Sequence, residues 1–202
     1  CVRAVPRPTA RLAALATAPL ADREGYLSRT PILNGATEQR HLIAPARKPL
    51  RDRLRHLAGQ AAYERPAPVP RFQSSRAAGL TVAFFPGCLT DRVLPEMGEA
   101  VVRVLEACGC RVVFPLDQHC CGLVAANMGD RPRARAMARQ TIQMLEATEA
   151  DWFVTNSTSC LAAVAQDYQH LFRTDPEWRE RAARQAERLI DFTTFLDRVA
   201  AL

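Results

Sequence analysis

Only one of the 27 basic residues is lysine (Lys48), only 6% of the residues are aromatic, and no run of 18 apolar residues occurs among the 202. The last absence leaves no hydropathy-defined membrane span. No signal-peptide pattern is present, which argues against a secreted protein, and Cys1 in place of Met reads as the start of a fragment or processed product. No G-x-G-x-x-G follows the first apolar run, so a flavin or nicotinamide fingerprint is missing. The C-x₂₋₄-C spacing that lets two thiolates reach one zinc ion is missing as well.

What is present is a lopsided charge and seven cysteines. Residues 1–79 hold 14 Lys and Arg against 5 Asp and Glu, together with nine of the 14 prolines; residues 80–202 hold 13 against 16. A basic arm can lie on nucleic acid, an anionic membrane or an acidic protein. No aromatic interleaving or nucleic-acid motif accompanies the charge, so residues 1–79 read as a basic linker with partial helix, not as a nucleic-acid binder. Pro66, Pro68 and Pro70 force an extended stretch. Residues 12–20 and 50–57 could be helical, and the charge-dense segment 40–55 is expected to lie across another surface.

From Leu80 the pattern becomes periodic. Apolar strands are predicted near 80–86, 111–114 and 152–155. Between the first two, Leu94, Met97, Val101, Val104, Leu105 and Cys108 recur at helical steps, ended by Gly109. A second helix is predicted from Pro132 to Ala147. A third follows Asn156 and Ser157, with Leu161, Val164, Tyr168 and Phe172 on one side. Pro176 opens a last helix whose stripe of Leu189, Phe192, Phe195, Leu196 and Val199 offers apolar surface for a neighbour. The alternation predicts an α/β fold, a Rossmann-like three-layer parallel sheet over residues 80–202.

The cysteines sort against that frame. Cys88, the pair Cys120 and Cys121, and Cys160 each follow one of the three strands, so a parallel sheet would gather them at its C-terminal edge. Free N–H groups at the starts of the following helices would lower thiol pKa values there. In a reducing compartment such thiols are metal ligands more often than disulfides. All-thiolate sites suit zinc or iron–sulfur clusters. Adjacent cysteines such as Cys120 and Cys121 diverge and reach different irons of a cluster more readily than one zinc ion, and Gly122 would let the backbone approach without a Cβ clash. Cys108 and Cys110 read as small core residues, the latter at the opposite end of the sheet. His119 reads as a polar neighbour of the pair, with ligation as the alternative.

The stretches Phe84-Phe85-Pro86-Gly87-Cys88, Phe114-Pro115-Leu116-Asp117-Gln118-His119-Cys120-Cys121-Gly122 and Ser157-Thr158-Ser159-Cys160 resemble the cysteine-rich CCG domain. That domain occurs in iron–sulfur subunits of glycolate oxidase, of lactate-utilisation complexes and of anaerobic glycerol-3-phosphate dehydrogenase, and in heterodisulfide reductases. The resemblance covers residues 80–200. It implies Cys88, Cys120, Cys121 and Cys160 as ligands, with Gly87, His119, Gly122 and Ser157 around them. Ser157 stands where the family usually has a further cysteine, leaving four thiolates, enough for a 4Fe–4S cluster, while the noncubane clusters of some relatives use five. Residues 1–79 resemble the linker that follows a ferredoxin-like module in longer members.

The function implied is an iron–sulfur electron-transfer subunit of a flavin-linked lactate, glycolate or glycerol-3-phosphate dehydrogenase, relaying electrons toward a quinone or another carrier. Hydride chemistry would belong to a partner flavoprotein, with other iron–sulfur modules alongside. The implied location is cytoplasmic, with room for peripheral membrane association through the complex. Two alternatives remain open at this point: a thiol-disulfide reductase acting at the cluster, and a zinc-stabilised interaction module.

Overall fold

In the computed structural model, residues 45–57, Phe72 and residues 75–202 are described. Cys1 and the prolines Pro66, Pro68 and Pro70 lie outside them. Thr81–Phe84 forms β1, apolar without polar alternation, as a strand covered on both faces requires. It pairs in parallel with β2 (Arg111–Val113) on one side and β3 (Trp152–Thr155) on the other. β3 in turn pairs in parallel with β4 (Leu189–Asp191). The order β2-β1-β3-β4 puts the switch in strand progression between β1 and β3, where open α/β sheets form a crevice at their C-terminal ends.

The expected α/β fold with an all-parallel sheet is what forms, with one strand more. The helix opened by Pro176 stops at Arg188, and Leu189–Asp191 continues as the edge strand. Its three residues are too short to show a period of two, and their apolar members blend into the helical stripe on either side. Asp191 then caps the next helix by accepting from the Thr193 N–H.

Side chains alternate across the sheet. Val82, Phe84, Val112 and Val154 pack under the helix Pro95–Ala107 through Val101 and Leu105, and Phe195 closes this layer. Ala83, Phe85 and Phe153 face the opposite layer, built from the helix Arg131–Ala147 and the helices after β3. Phe195 is fully buried, and Phe192, Leu196 and Val199 are partly buried against the same core, so much of the expected apolar stripe turns inward. Leu94 and Met97, expected inside, are instead 39% and 50% exposed.

The described part of the basic segment lies on this domain. Leu50, Leu54 and Leu57 are core residues, and Leu50 seats over Gly98, where a Cβ would come within 2.2 Å of Leu50 Cδ2. Arg51 donates from its backbone N–H (3.0 Å) and from Nε (2.8 Å) to the two carboxylate oxygens of Asp91, which is buried. Arg53 reaches Glu96 and Glu99 on the neighbouring helix. The packed unit therefore extends upstream of residue 80. No helix among the described residues is long and apolar enough to cross a membrane.

Candidate metal centre

Three loops at the C-terminal edge of the sheet carry the four cysteines. β1 ends at Phe84, and Pro86 and Gly87 turn the chain so that Cys88 lies in the first turn of the helix Gly87–Arg92. After β2, residues 114–122 bring Cys120 and Cys121 back to the end of β1. Buried Gln118 ties this loop down by donating from Nε2 to the Phe84 carbonyl at 3.3 Å. After β3, Ser157 precedes the helix Thr158–Ala162, which carries Cys160. Cys121 and Cys160 are buried, Cys120 is half-buried and Cys88 is exposed, so the centre has a dry inner side and one open edge.

The four thiols lie near enough to perturb one another. Cys121 and Cys88, in that order, pull the Cys120 thiol down to about 2. The Gly122 N–H adds to that lowering, as does the nearby His119. Cys160 is likewise lowered, by Cys121 first and then by the Ser157 hydroxyl, against the opposing effect of burial. Cys121 and Cys88 are pushed up, both chiefly by their bond to Cys120. The four thiols titrate as one set.

Gly87 makes the close packing of this set feasible. Its φ of +72° suits glycine, and a Cβ there would stand 2.9 Å from Cys160 Sγ and 3.3 Å from Ser157 Oγ. The residue order alone points to Gly122 for the sulfur-facing gap, and the packing corrects this. At Gly122 (φ +90°) the missing Cβ would meet Met137 and Ala134 of the following helix instead. Gly122 serves the sulfurs through its N–H, and Leu123 does the same for Cys121. Ser157, though suited to capping its helix, makes no side-chain cap; its hydroxyl contacts Ser159 Oγ at 3.3 Å and the Cys160 sulfur. His119 Nδ1 lies 3.2 Å from the Cys120 carbonyl, which engages the ring with backbone.

These features fit a thiolate-bound group of several metal atoms. The donors are soft sulfurs, backbone N–H groups face them, and one wall is emptied of a side chain. Cys108 and Cys110 lie apart from the centre, in the core beneath the opposite strand ends, and Cys110 donates to the Ala77 carbonyl at 3.6 Å.

Residues 82–165, which contain all four clustered cysteines, match the family model of the cysteine-rich domain, CCG. Over this segment the chain is similar to the CCG family. Lactate utilization protein A of Exiguobacterium sp. (strain ATCC BAA-1283 / AT1b) is 40% identical over 115 residues, 57% of this chain and 46% of that protein. The probable glycolate oxidase iron-sulfur subunit of Bacillus subtilis (strain 168) is 38% identical over 115 residues, 57% of this chain and 26% of its own. Lactate utilization protein A of Geobacillus thermodenitrificans (strain NG80-2) is 40% identical over 117 residues, 58% of this chain and 48% of its own. The chain thus spans about half the length of the lactate utilization relatives and about a quarter of the glycolate oxidase subunit. No solved structure matches the chain.

Sequence reasoning assigned no role to three polar residues that brace this centre. Gln118 anchors its loop, the Thr90 hydroxyl receives a hydrogen bond from Asn156 Nδ2 at 3.1 Å, and the Tyr168 hydroxyl donates to the Cys121 carbonyl at 2.6 Å. Gln118 carried a signal as part of the motif stretch 114–122, and Tyr168 as a hydroxyl-bearing side chain on an otherwise apolar helix face.

Proposed function

We propose that Cys88, Cys120, Cys121 and Cys160 hold an iron–sulfur cluster, of the 4Fe–4S type. The chain would act as an electron-transfer part of a flavin-linked 2-hydroxy acid dehydrogenase complex. The observation that carries this reading is that three loops at the sheet's C-terminal edge bring the four cysteines together, with Gly87 packed against the Cys160 sulfur. The names of the relatives support the cofactor and the substrate class.

When bound, the cluster supplies reversible one-electron storage. The protein's residues do the rest. Buried Cys121 and Cys160 keep the inner side dry, and the Gly122 and Leu123 N–H groups stabilise negative charge on sulfur. Cys88 leaves one edge open, with exposed Leu89 beside it and exposed Val124 and Met128 following the cysteine pair in the chain. A partner flavoprotein approaching this edge would meet apolar side chains near the metal. The test is anaerobic purification followed by iron, sulfide and zinc analysis and a visible spectrum. Iron with sulfide and a broad absorbance near 400 nm, a band expected of thiolate-bound iron, would support the reading; stoichiometric zinc without iron would overturn it.

A further inference from the structure

The peptide unit between Cys121 and Gly122 is engaged at both ends. Its carbonyl accepts the Tyr168 hydroxyl at 2.6 Å, and its N–H faces the Cys120 sulfur. The chain has no cis peptide bond among the described residues, so the two groups point in opposite directions, the tyrosine below and the thiolate above. A hydrogen bond to an amide oxygen polarises the amide and makes its N–H a stronger donor.

Tyr168 reaches this position through an irregularity in its helix. Between Cys160 and Tyr168 the helix widens into a π-helical turn, Ala163–Asp167. Such a turn accommodates one additional residue, so the eight steps rotate through about 700° instead of about 800°. Tyr168 is thereby returned to nearly the same face as Cys160, and both belong to the same buried cluster. The phenol is 2% exposed, and the Thr141 hydroxyl beside it is buried as well. The bond to the Cys121 carbonyl is therefore made in a water-free setting.

We infer that Tyr168 is a positioning residue of the metal centre: its hydroxyl fixes the Cys121–Gly122 peptide and, through that amide, strengthens the N–H···S bond to Cys120. This inference rests on the cluster reading above. A stronger N–H···S bond favours the more negative, reduced centre and so raises its potential. Tyr168 lies beyond the matched segment 82–165, so this centre is tuned from outside that segment.

The test uses the anaerobically isolated full chain carrying Tyr168→Phe, or 3-fluorotyrosine at position 168, whose hydroxyl is a stronger donor. Phe172→Leu serves as control, because it perturbs the ring packed on Tyr168 and leaves the hydroxyl. Redox titration should give a lower potential for Tyr168→Phe, a higher one for fluorotyrosine, and no shift for the control. Hydrogen exchange at Gly122 should quicken about tenfold in Tyr168→Phe, as for one buried hydrogen bond lost. Should Tyr168→Phe fail to fold, the fluorotyrosine shift decides alone. Unmoved potentials in loaded proteins would overturn the inference. Absence of iron from the parent protein would instead defeat the cluster reading, and unaltered Gly122 exchange would then overturn the tyrosine's role on its own.

Discussion

The α-carbon of Gly87 forms the floor beneath the Cys160 sulfur: a methyl group there would stand 2.9 Å from Sγ. A helix begun after β1 and a helix begun after β3 meet at this point, so the turn at Gly87 sets how closely Cys88 and Cys160 can share one metal group. Gly87→Ala should therefore damage the centre more than the fold. The positive φ costs an alanine about 1–2 kcal/mol, while the clash moves a ligand. Iron per chain should fall sharply with a modest drop in melting temperature; full iron occupancy would show that the contact is not limiting.

The clustered and the core cysteines should divide by function. Cys88→Ser, Cys120→Ser, Cys121→Ser and Cys160→Ser should each lose or alter the visible spectrum. Cys108→Ala should keep it and cost about 1 kcal/mol, as for trimming a small buried side chain. The comparison needs only metal analysis and urea denaturation of the same samples. A folded Cys108→Ala protein without iron would refute the division.

Arg51 and Asp91 pair across 40 positions, with side chains 12% and 3% exposed. Arg51→Ala would leave the Asp91 carboxylate buried with Arg92 Nε at 3.3 Å as its remaining ion partner. The loss should be about 3 kcal/mol, in the range for breaking a buried pair. An Arg51→Met, Asp91→Leu double variant should recover most of it. Urea midpoints of the three proteins test this, and a single-variant loss below about 0.5 kcal/mol, typical of exposed pairs, would contradict the buried clamp.

Cys110 gives an alkaline dependence. Burial, and secondarily Cys108, push its thiol from 9.0 up to about 12. Below pH 9 both folded and unfolded chains hold the proton, so the full stability is present. As pH rises from 9 toward 12 the unfolded chain releases a proton that the folded chain keeps, and stability falls. Cys110→Ala should flatten that decline between pH 9 and 11. Equal slopes in the two proteins, measured by urea denaturation, would exclude the effect.

Much of this was legible in the residue order. The apolar runs at 80–86, 111–114 and 152–155 declare buried strands, because a parallel strand covered on both faces leaves no polar alternation. The interval helices then require parallel pairing, and the cysteines behind the strand ends become neighbours by topology. Ser157 and Cys160 were identifiable for the same reason. β4 was not, since a three-residue strand has no period of its own.

The sequence by itself determined the fold class, the edge where chemistry collects and the four sulfurs that gather there. Each depends on local pattern plus a connectivity that parallel sheets impose. Only the tertiary structure decided which glycine faces sulfur, that Leu50 and Arg51 belong to the packed domain, and that Tyr168 bonds to Cys121. These are contacts between residues 40 to 73 positions apart. They arise from the shape of the space left between packed layers, and no spacing rule along the chain encodes it.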